Sequence, residues 1–326
     1  MSGEPGDVQP VRRVGLPDAA GPIRRVALIV NPAAGCGRAL RLAERLQPAL
    51  AARSVSVERR LTARPGDATA FAAAALEEGV DAVVACGGDG TVNEVVQALA
   101  GTPGRLAVAP GGRGNDLARA LHIPRDTAGW VRMVVAGQTR HLDVGAGGGR
   151  RFATVATLGF DAAVSARAAR GVWFLQGKAA YVAATILTLV RFRPPVVKIW
   201  GAGCSFEGPI LLVATGNTSM YGGGMQIARG AVPDDGLFRV CLIREVPRYA
   251  VLGLLPQVIS GRHTLHPAVQ MWDTPFLEVR ADPPCVLYAD GEAIGETPIR
   301  LEVLPRALRV IGPPASWSPA PAIRES

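Results

Sequence analysis

Ala82-Val83-Val84-Ala85-Cys86-Gly87-Gly88-Asp89-Gly90-Thr91-Val92-Asn93-Glu94-Val95-Val96 is the stretch that decides the fold. An apolar, partly β-branched run ends in three glycines around one carboxylate, and a helical pattern of apolar residues follows. Glycines let backbone N–H groups come close to an anion, and a helix N-terminus turns its positive end towards the same place. A carboxylate does not attract phosphate, so Asp89 in such a turn points to a metal ion or to a proton-accepting task. The same residues also suit a plain turn, because Gly-Asp-Gly is ordinary turn chemistry and Thr91 with Glu94 fits a capping box.

Outward from that turn, short β-branched runs alternate with longer helical segments. Strands are expected at Val26–Val30, Val55–Leu61, Ala82–Ala85 and Leu106–Ala109. Helices are expected at Arg38–Arg53, Asp67–Glu78, Val92–Ala100 and Asn115–Leu121. Such alternation implies a mostly parallel sheet with helices on both faces, whose ligands sit beyond the carboxyl ends of the strands. The glycine-rich segments Asn31–Gly37, Gly87–Thr91 and Pro110–Asn115 all fall at that edge, so three loops converge on one place. Composition shifts at Gly145–Gly149. Beyond it the expected strands are Phe152–Leu158, Val196–Trp200, Ile210–Thr215, Phe238–Ile243, Phe276–Val279, Val286–Tyr288, Ile299–Val303 and Leu308–Ile311. Turn signals such as Asp235-Gly236 and Asp290-Gly291 separate several of them. This half reads as an antiparallel sandwich interrupted by helices near Asp161–Arg170, Lys178–Arg191 and Tyr249–Ser260. The fold class is therefore α/β: a parallel-sheet domain at residues 24–145 and a β-sandwich domain at 146–312, with a disordered extension at 1–23 and a flexible tail at 313–326.

Composition narrows the function. The 326 residues are 48% hydrophobic, enough for two cores. The formal net charge of +8 suits an anionic membrane surface or phosphorylated ligands, or simply follows an Arg-rich composition. No dense Lys/Arg run is interleaved with aromatics, which argues against nucleic acid. Cys36, Cys86, Cys204, Cys241 and Cys285 are scattered and odd in number, and they read as reduced, mostly buried residues of a cytoplasmic protein. His263 and His266 read as surface residues. The longest apolar run, Ala179–Val190, is short for a bilayer span, and the first residues lack a signal-peptide core.

The series Asn31-Pro32-Ala33-Ala34-Gly35, Gly87 to Glu94, Pro110-Gly111-Gly112-Arg113-Gly114-Asn115-Asp116 to Arg119, Asp234-Asp235-Gly236 and Asp290-Gly291-Glu292 resembles the bacterial diacylglycerol kinases. Sphingosine and ceramide kinases share that family's catalytic domain. The resemblance runs from about Arg24 to Ile311. It implies a nucleotide-binding N-terminal domain like that of NAD kinase and phosphofructokinase, and a lipid-binding sandwich with catalysis in the cleft between them. It also implies ATP as donor, Mg²⁺, a lipid hydroxyl as acceptor, peripheral membrane contact and a possible homodimer.

The resemblance further implies residue roles. Asn31, Pro32, Ala33, Ala34 and Gly35 cradle phosphate, and Thr62 contacts the nucleotide. Gly88, Asp89, Gly90, Thr91, Val92, Asn93 and Glu94 form the central nucleotide motif, with Asp89 beside metal and phosphates. Arg113 stands where the family places Thr or Ser, and its guanidinium is able to bind phosphate directly. Asn115 completes that loop, although it also suits a helix N-cap. Asp116 and Asp143 are expected at Mg²⁺, and Asp234, Asp235 and Leu237 at a second, structural Mg²⁺. Glu292 is expected to be the general base, supported by Asp290. Trp173 to Val190 offers a lipid-facing helix, and Asn217–Met225 a loop beside the acceptor. Two alternatives stand beside this reading: an NAD kinase-like enzyme, which shares Gly-Gly-Asp-Gly-Thr, and a non-catalytic nucleotide or lipid sensor.

Overall fold

The computed structural model describes residues 21–169, 187–189 and 191–313. The N-terminal half follows the expected alternation: β1 (Arg25–Val30), α1 (Arg38–Ala51), β2 (Ser56–Leu61), α2 (Asp67–Glu77), β3 (Ala82–Gly87), α3 (Asp89–Leu99) and β4 (Arg105–Pro110). Strands β2, β1, β3 and β4 lie side by side and parallel. β3 is buried along its whole length, which explains its unbroken apolar run: a strand covered on both faces has no polar face to show. Helices α2 and α3 pack together on one face. On the other, α1 packs against α5 (Thr127–Ala136), which follows the short α4 (Asp116–Ala120).

α3 begins at Asp89, not at Val92. Gly88 is its N-cap, so Thr91 lies inside the first turn and the Thr91–Glu94 capping box does not form. The same holds at α4, where Asn115 is the N-cap in a left-handed conformation but its side chain makes no capping bond.

β5 (Thr139–Gly147), β6 (Arg150–Phe152), β7 (Val155–Gly159), α6 (Phe160–Ala169), β8 (Val196–Gly201) and β9 (Cys204–Gly216) lead into the second half. It continues with β10 (Phe238–Arg244), α7 (Arg248–Ser260), β11 (Val269–Thr274), β12 (Phe276–Asp282), β13 (Val286–Ala289), β14 (Glu292–Glu296) and β15 (Ile299–Ile311). β9 belongs to two layers. Cys204–Pro209 pairs with β8, whereas Ile210–Gly216 lies between β7 and β10. Between the layers sit Phe152, Ile199, Ile210, Phe238, Leu242 and Leu277, with the Phe152 and Phe238 rings stacked at 5.7 Å. On the outer side of β9 and β10 a further apolar cluster is closed by Val251, Leu254 and Val258 of α7.

β15 ties the halves together. Its first residues pair with β12 of the sandwich, and Arg309 and Val310 pair in parallel with Arg105 and Leu106 of β4. Thus the two strands expected at Ile299–Val303 and Leu308–Ile311 are one. Its register against β5 shifts between Leu304 and Leu308, where Arg306 adopts φ 54° and its N–H donates to Asp143 at 2.7 Å. Conversely, the single strand expected at Phe152–Leu158 is two, because the Ala153 and Thr154 N–H groups turn aside to the Asp290 carboxylate. His263 is not a surface residue: it is fully buried, with Nε2 3.0 Å from the Ile227 carbonyl. Cys36 is exposed, whereas burial pushes the Cys86 and Cys241 thiols up to about 12. The segment expected as a lipid-facing helix lies largely outside the described residues; Leu189 at its end packs into the α7 cluster.

The stacked Phe152–Phe238 pair should be the sandwich's largest single packing contribution. Phe152→Ala is expected to cost roughly 3–5 kcal/mol, read as a lower urea midpoint with an unchanged slope. A loss below about 1 kcal/mol would show that the two layers close without it.

Candidate functional site

The three loops at the carboxyl edge of the parallel sheet meet backbone to backbone. A Cβ on Gly35 would lie 2.2 Å from the Gly111 carbonyl, and one on Gly112 would lie 2.3 Å from Gly88 Cα. One on Gly114 would lie 2.3 Å from Asp89 Oδ2. Side chains are excluded there by space alone. Gly111 N–H donates to the Gly87 carbonyl at 2.9 Å, and Arg38 donates to the Gly35 and Gly112 carbonyls. Asn31 Oδ1 accepts from Ala33 N–H at 3.1 Å, shaping a loop that carries Pro32, Ala33 and Ala34. Asn115 accepts from Gly112 N–H and donates to Gly112 O, which holds the third loop closed. Arg113 is exposed, and its guanidinium donates to Cys36 Sγ at 3.2 Å across the gap between the first and third loops. Thr62 ends β2, with its N–H on the Val30 carbonyl.

The centre of the site is a pair of carboxylates at two helix N-termini. Asp89 opens α3 and Asp116 opens α4. Asp89 Oδ2 accepts from Asn115 N–H at 2.9 Å, and Oδ1 from Asp116 N–H at 2.6 Å. Asp116 accepts from Gly223 N–H at 2.9 and 3.1 Å. Burial, then the charge of Asp89, pushes the Asp116 carboxyl up to about 6. Burial also raises Asp89, against the opposing pull of the two backbone donors. A buried and a half-buried carboxylate with no ion-pair partner among the described residues destabilise each other, and a cation between them would relieve this.

The sandwich delivers a second pair. Asp290 and Gly291 form the two-residue turn between β13 and β14, both with positive φ. The Asp290 carboxylate accepts from Asn93 Nδ2 at 2.9 Å, from Ala153 N–H at 2.8 Å, and from the Thr154 N–H and hydroxyl. It therefore clamps α3 of one half to the β6–β7 junction of the other. Glu292, two residues on, is ion-paired with Arg150 of β6, and both side chains are partly open to solvent.

The remaining expected residues are placed as follows. Asn93 is buried and spends its amide on Asp290 and the Arg151 carbonyl, so it joins the two halves and does not face the loops. Val92 is in the core. Glu94 accepts from Ala68 N–H at 3.0 Å and so caps α2. Thr91 packs over Gly87, and Gly90 has open space around it. Asp143 is buried apart from the central pair, with its oxygens on the Gly236 and Arg306 N–H groups. Burial raises Asp143 and Asp235, the charge of Asp234 raises both further, and Leu237 N–H donates to Asp235 Oδ1.

The described residues hold no group of three carboxylate, histidine or cysteine ligands poised for a metal. The Asp89–Asp116 donor set still fits Mg²⁺, which takes one or two carboxylates and completes its shell with phosphate oxygens and water. Asp143, like that pair, accepts a backbone N–H on each oxygen and keeps lone pairs to spare.

Sequence reasoning did not single out Gly223, Arg150 or Thr154. Gly223 lies in the Asn217–Met225 loop, whose residues carry no local signature. The other two contribute through strand pairing across many residues, and only the fold makes their contacts visible.

Two outcomes follow. In divalent-free buffer, Asp116 has a raised folded pKa, so the folded state holds its proton more tightly than the unfolded chain. Its contribution to stability therefore falls as pH rises from about 4 to about 6, and Asp116→Asn should flatten that part of the melting curve against pH. Parallel curves for the variant and the parent chain would refute the assignment. Glu94→Ala should lower the urea midpoint by about 1 kcal/mol through loss of the α2 cap, with nucleotide binding unchanged; the reverse pattern would return Glu94 to the nucleotide.

Residues 25–146 match the family model for the diacylglycerol kinase catalytic domain, and residues 154–312 match the YegS C-terminal NAD kinase beta sandwich-like domain. A diacylglycerol kinase of Mycobacterium tuberculosis is 33% identical over 307 residues, covering 90% of this chain and 99% of that protein. One from Staphylococcus aureus is 33% identical over 255 residues, covering 77% of this chain and 81% of that protein. The solved structure of a diacylglycerol kinase from Bacillus anthracis shares the fold, with a TM-score of 0.71, 23% identity, and coverage of 90% and 98% of the two chains. The order of glycine loops, the sheet that carries them and the sandwich behind them thus have one explanation: the chain belongs to the diacylglycerol kinase family and is a lipid kinase.

Proposed function

We propose that the chain transfers the γ-phosphoryl group of ATP to the hydroxyl of a diacylglycerol-like or sphingoid-like lipid. The observation that carries this reading is the meeting of three glycine loops on the Asp89–Asp116 pair, with Asp290 brought from the sandwich near enough for its charge to reach both. Residues 24–145 serve the nucleotide and 146–312 the lipid. The first and third loops offer backbone N–H groups to the donor phosphates. Asp89 and Asp116 would hold Mg²⁺ together with those phosphates, and the bound ion supplies charge neutralisation at the transferring group.

Glu292 takes the proton of the lipid hydroxyl as its oxygen attacks the γ-phosphorus. The bond from that phosphorus to the β,γ-bridging oxygen breaks, and ADP carries away the electron pair. Arg150 positions Glu292 through the ion pair. Asp290, with its four accepted bonds, holds the turn that carries the base.

Peripheral contact with a lipid surface fits an exposed apolar stripe on α7. Tyr249, Leu252 and Ile259 are 80%, 52% and 58% exposed, and Arg248 flanks them. Among the described residues no helix is long and apolar enough to cross a membrane.

The test is transfer of radiolabelled γ-phosphate to an extracted lipid mixture in Mg²⁺. Asp89→Asn should abolish label in lipid. Glu292→Gln should retain nucleotide binding and lose about 10²–10⁴-fold in turnover. Turnover of Glu292→Gln within a few fold of the parent would remove it as the base. Label appearing in NAD and in no lipid would overturn the acceptor class.

A further inference from the structure

Behind the third loop lies a cavity of about 860 Å³ that contains none of the carboxylates of the catalytic cleft. Its lining includes six arginines: Arg38, Arg41 and Arg45 from α1, Arg113 from the third loop, Arg119 from α4, and Arg125 before α5. His122 adds a seventh basic group, and Asp126 is the one carboxylate in the lining. Asp126 caps α5, with its Oδ1 accepting from Gly129 N–H at 2.7 Å, and offsets one of those positive charges at most.

None of the six arginines forms an ion pair among the described residues. Arg38 and Arg119 donate to loop carbonyls, and Arg113 donates to Cys36. Arg41 and Arg45 are exposed at helical spacing on one side of α1 and have no hydrogen-bond partner there. The floor is apolar, built from Leu42, Leu46, Ile123 and Trp130. Like charges converging on a concave, partly apolar surface repel one another, and such a surface focuses their field on whatever enters. Guanidinium groups from four separate elements suit phosphoryl oxygens, because each presents a planar fork of donors and a polyphosphate carries enough charge and oxygens to engage several at once. The volume is that of a small-molecule site.

We propose that this cavity binds a ligand carrying two or more phosphoryl groups, separately from the donor nucleotide. The two sites adjoin along the third loop, where Gly112, Arg113 and Asn115 line the cavity and Asn115 N–H and Asp116 N–H hold Asp89, and at Gly223, which lines the cavity and donates its N–H to Asp116. The site stands on the cavity's own chemistry and does not depend on the catalytic assignment.

The test uses the full chain, saturated with a non-hydrolysable ATP analogue, and labelled pyrophosphate as probe in equilibrium dialysis. One pyrophosphate per chain should remain bound, and Arg41→Ala with Arg45→Ala should weaken it by roughly tenfold or more. Arg53→Ala with Arg132→Ala, which removes the same charge outside the cavity, should leave affinity within about twofold. Matched thermal melts would establish that both variants are folded. Displacement of pyrophosphate by the analogue would make the cavity part of the nucleotide site and overturn the proposal. So would absent binding, or equal weakening by both double variants. Vesicles containing an anionic phospholipid identify the natural source. Release of the bound chain by pyrophosphate would assign the cavity to a lipid headgroup, and retention beside intact pyrophosphate binding would assign it to a soluble phosphate.

Discussion

The contact on which the site depends is the approach of three backbones where no side chain fits. Gly35 against Gly111, Gly112 against Gly88, and Gly114 against Asp89 bring the ends of β1, β3 and β4 within van der Waals reach of one another. That approach has a chemical consequence. With no side chains between them, the loops hand their N–H groups directly to Asp89, and the helix starting at each loop points its positive end inward. The two carboxylates are tolerated there because backbone donors and helix termini offset part of their burial. The remainder is left as a raised pKa at Asp116, a standing demand for positive charge that fits a phosphoryl-transfer centre.

The second constraint is how the sandwich finds this edge. β15 carries the chain from β12 back to β4, and the Asp290 turn docks on Asn93 of α3. Every polar partner of Asp290 comes from the parallel half or from the β6–β7 junction. The carboxylate therefore acts as a clamp whose loss would free the turn that carries Glu292. Asp143 performs the matching task one layer away, where it gathers the Gly236 turn and the Arg306 bulge.

Much of this was legible in the chain because the parallel half obeys local rules. β3 reads as a strand because both of its faces are buried, and the glycine spacing after β1, β3 and β4 marks loops at one edge. What escaped was non-local. The break between β6 and β7 exists because two N–H groups are diverted to Asp290, which lies 136 or more residues away in sequence. The continuity of β15 survives a bulge that its sequence reads as a gap. β14, Glu292-Ala293-Ile294-Gly295-Glu296, has too little alternation to announce itself, and it pairs because the Asp290-Gly291 turn folds it onto β13. Asn93 and Glu94 sit within the most recognisable motif of the chain, yet geometry gives one to the domain junction and the other to the end of α2. Motif membership located the loop; only the direction of each side chain from α3 separates residues that meet the cleft from residues that build it.

The third loop also divides charge. On one side stand Asp89 and Asp116, and on the other Arg38, Arg41, Arg45, Arg113, Arg119 and Arg125. Opposite charges so near each other would ordinarily collapse into ion pairs, but the loop's backbone occupies Arg38, Arg119 and Asp89, and Arg119 reaches Asp116 only through its field. Carbonyls of Gly112 and Gly114 take Arg38 and Arg119, and the N–H groups of Asn115 and Asp116 take Asp89. A single short segment thus uses its carbonyls to face cations and its amides to face anions. That arrangement explains why the segment is rich in glycine, which leaves both kinds of backbone group uncovered. It also explains how one chain can keep both a cation-seeking cleft and an anion-seeking cavity a few residues apart.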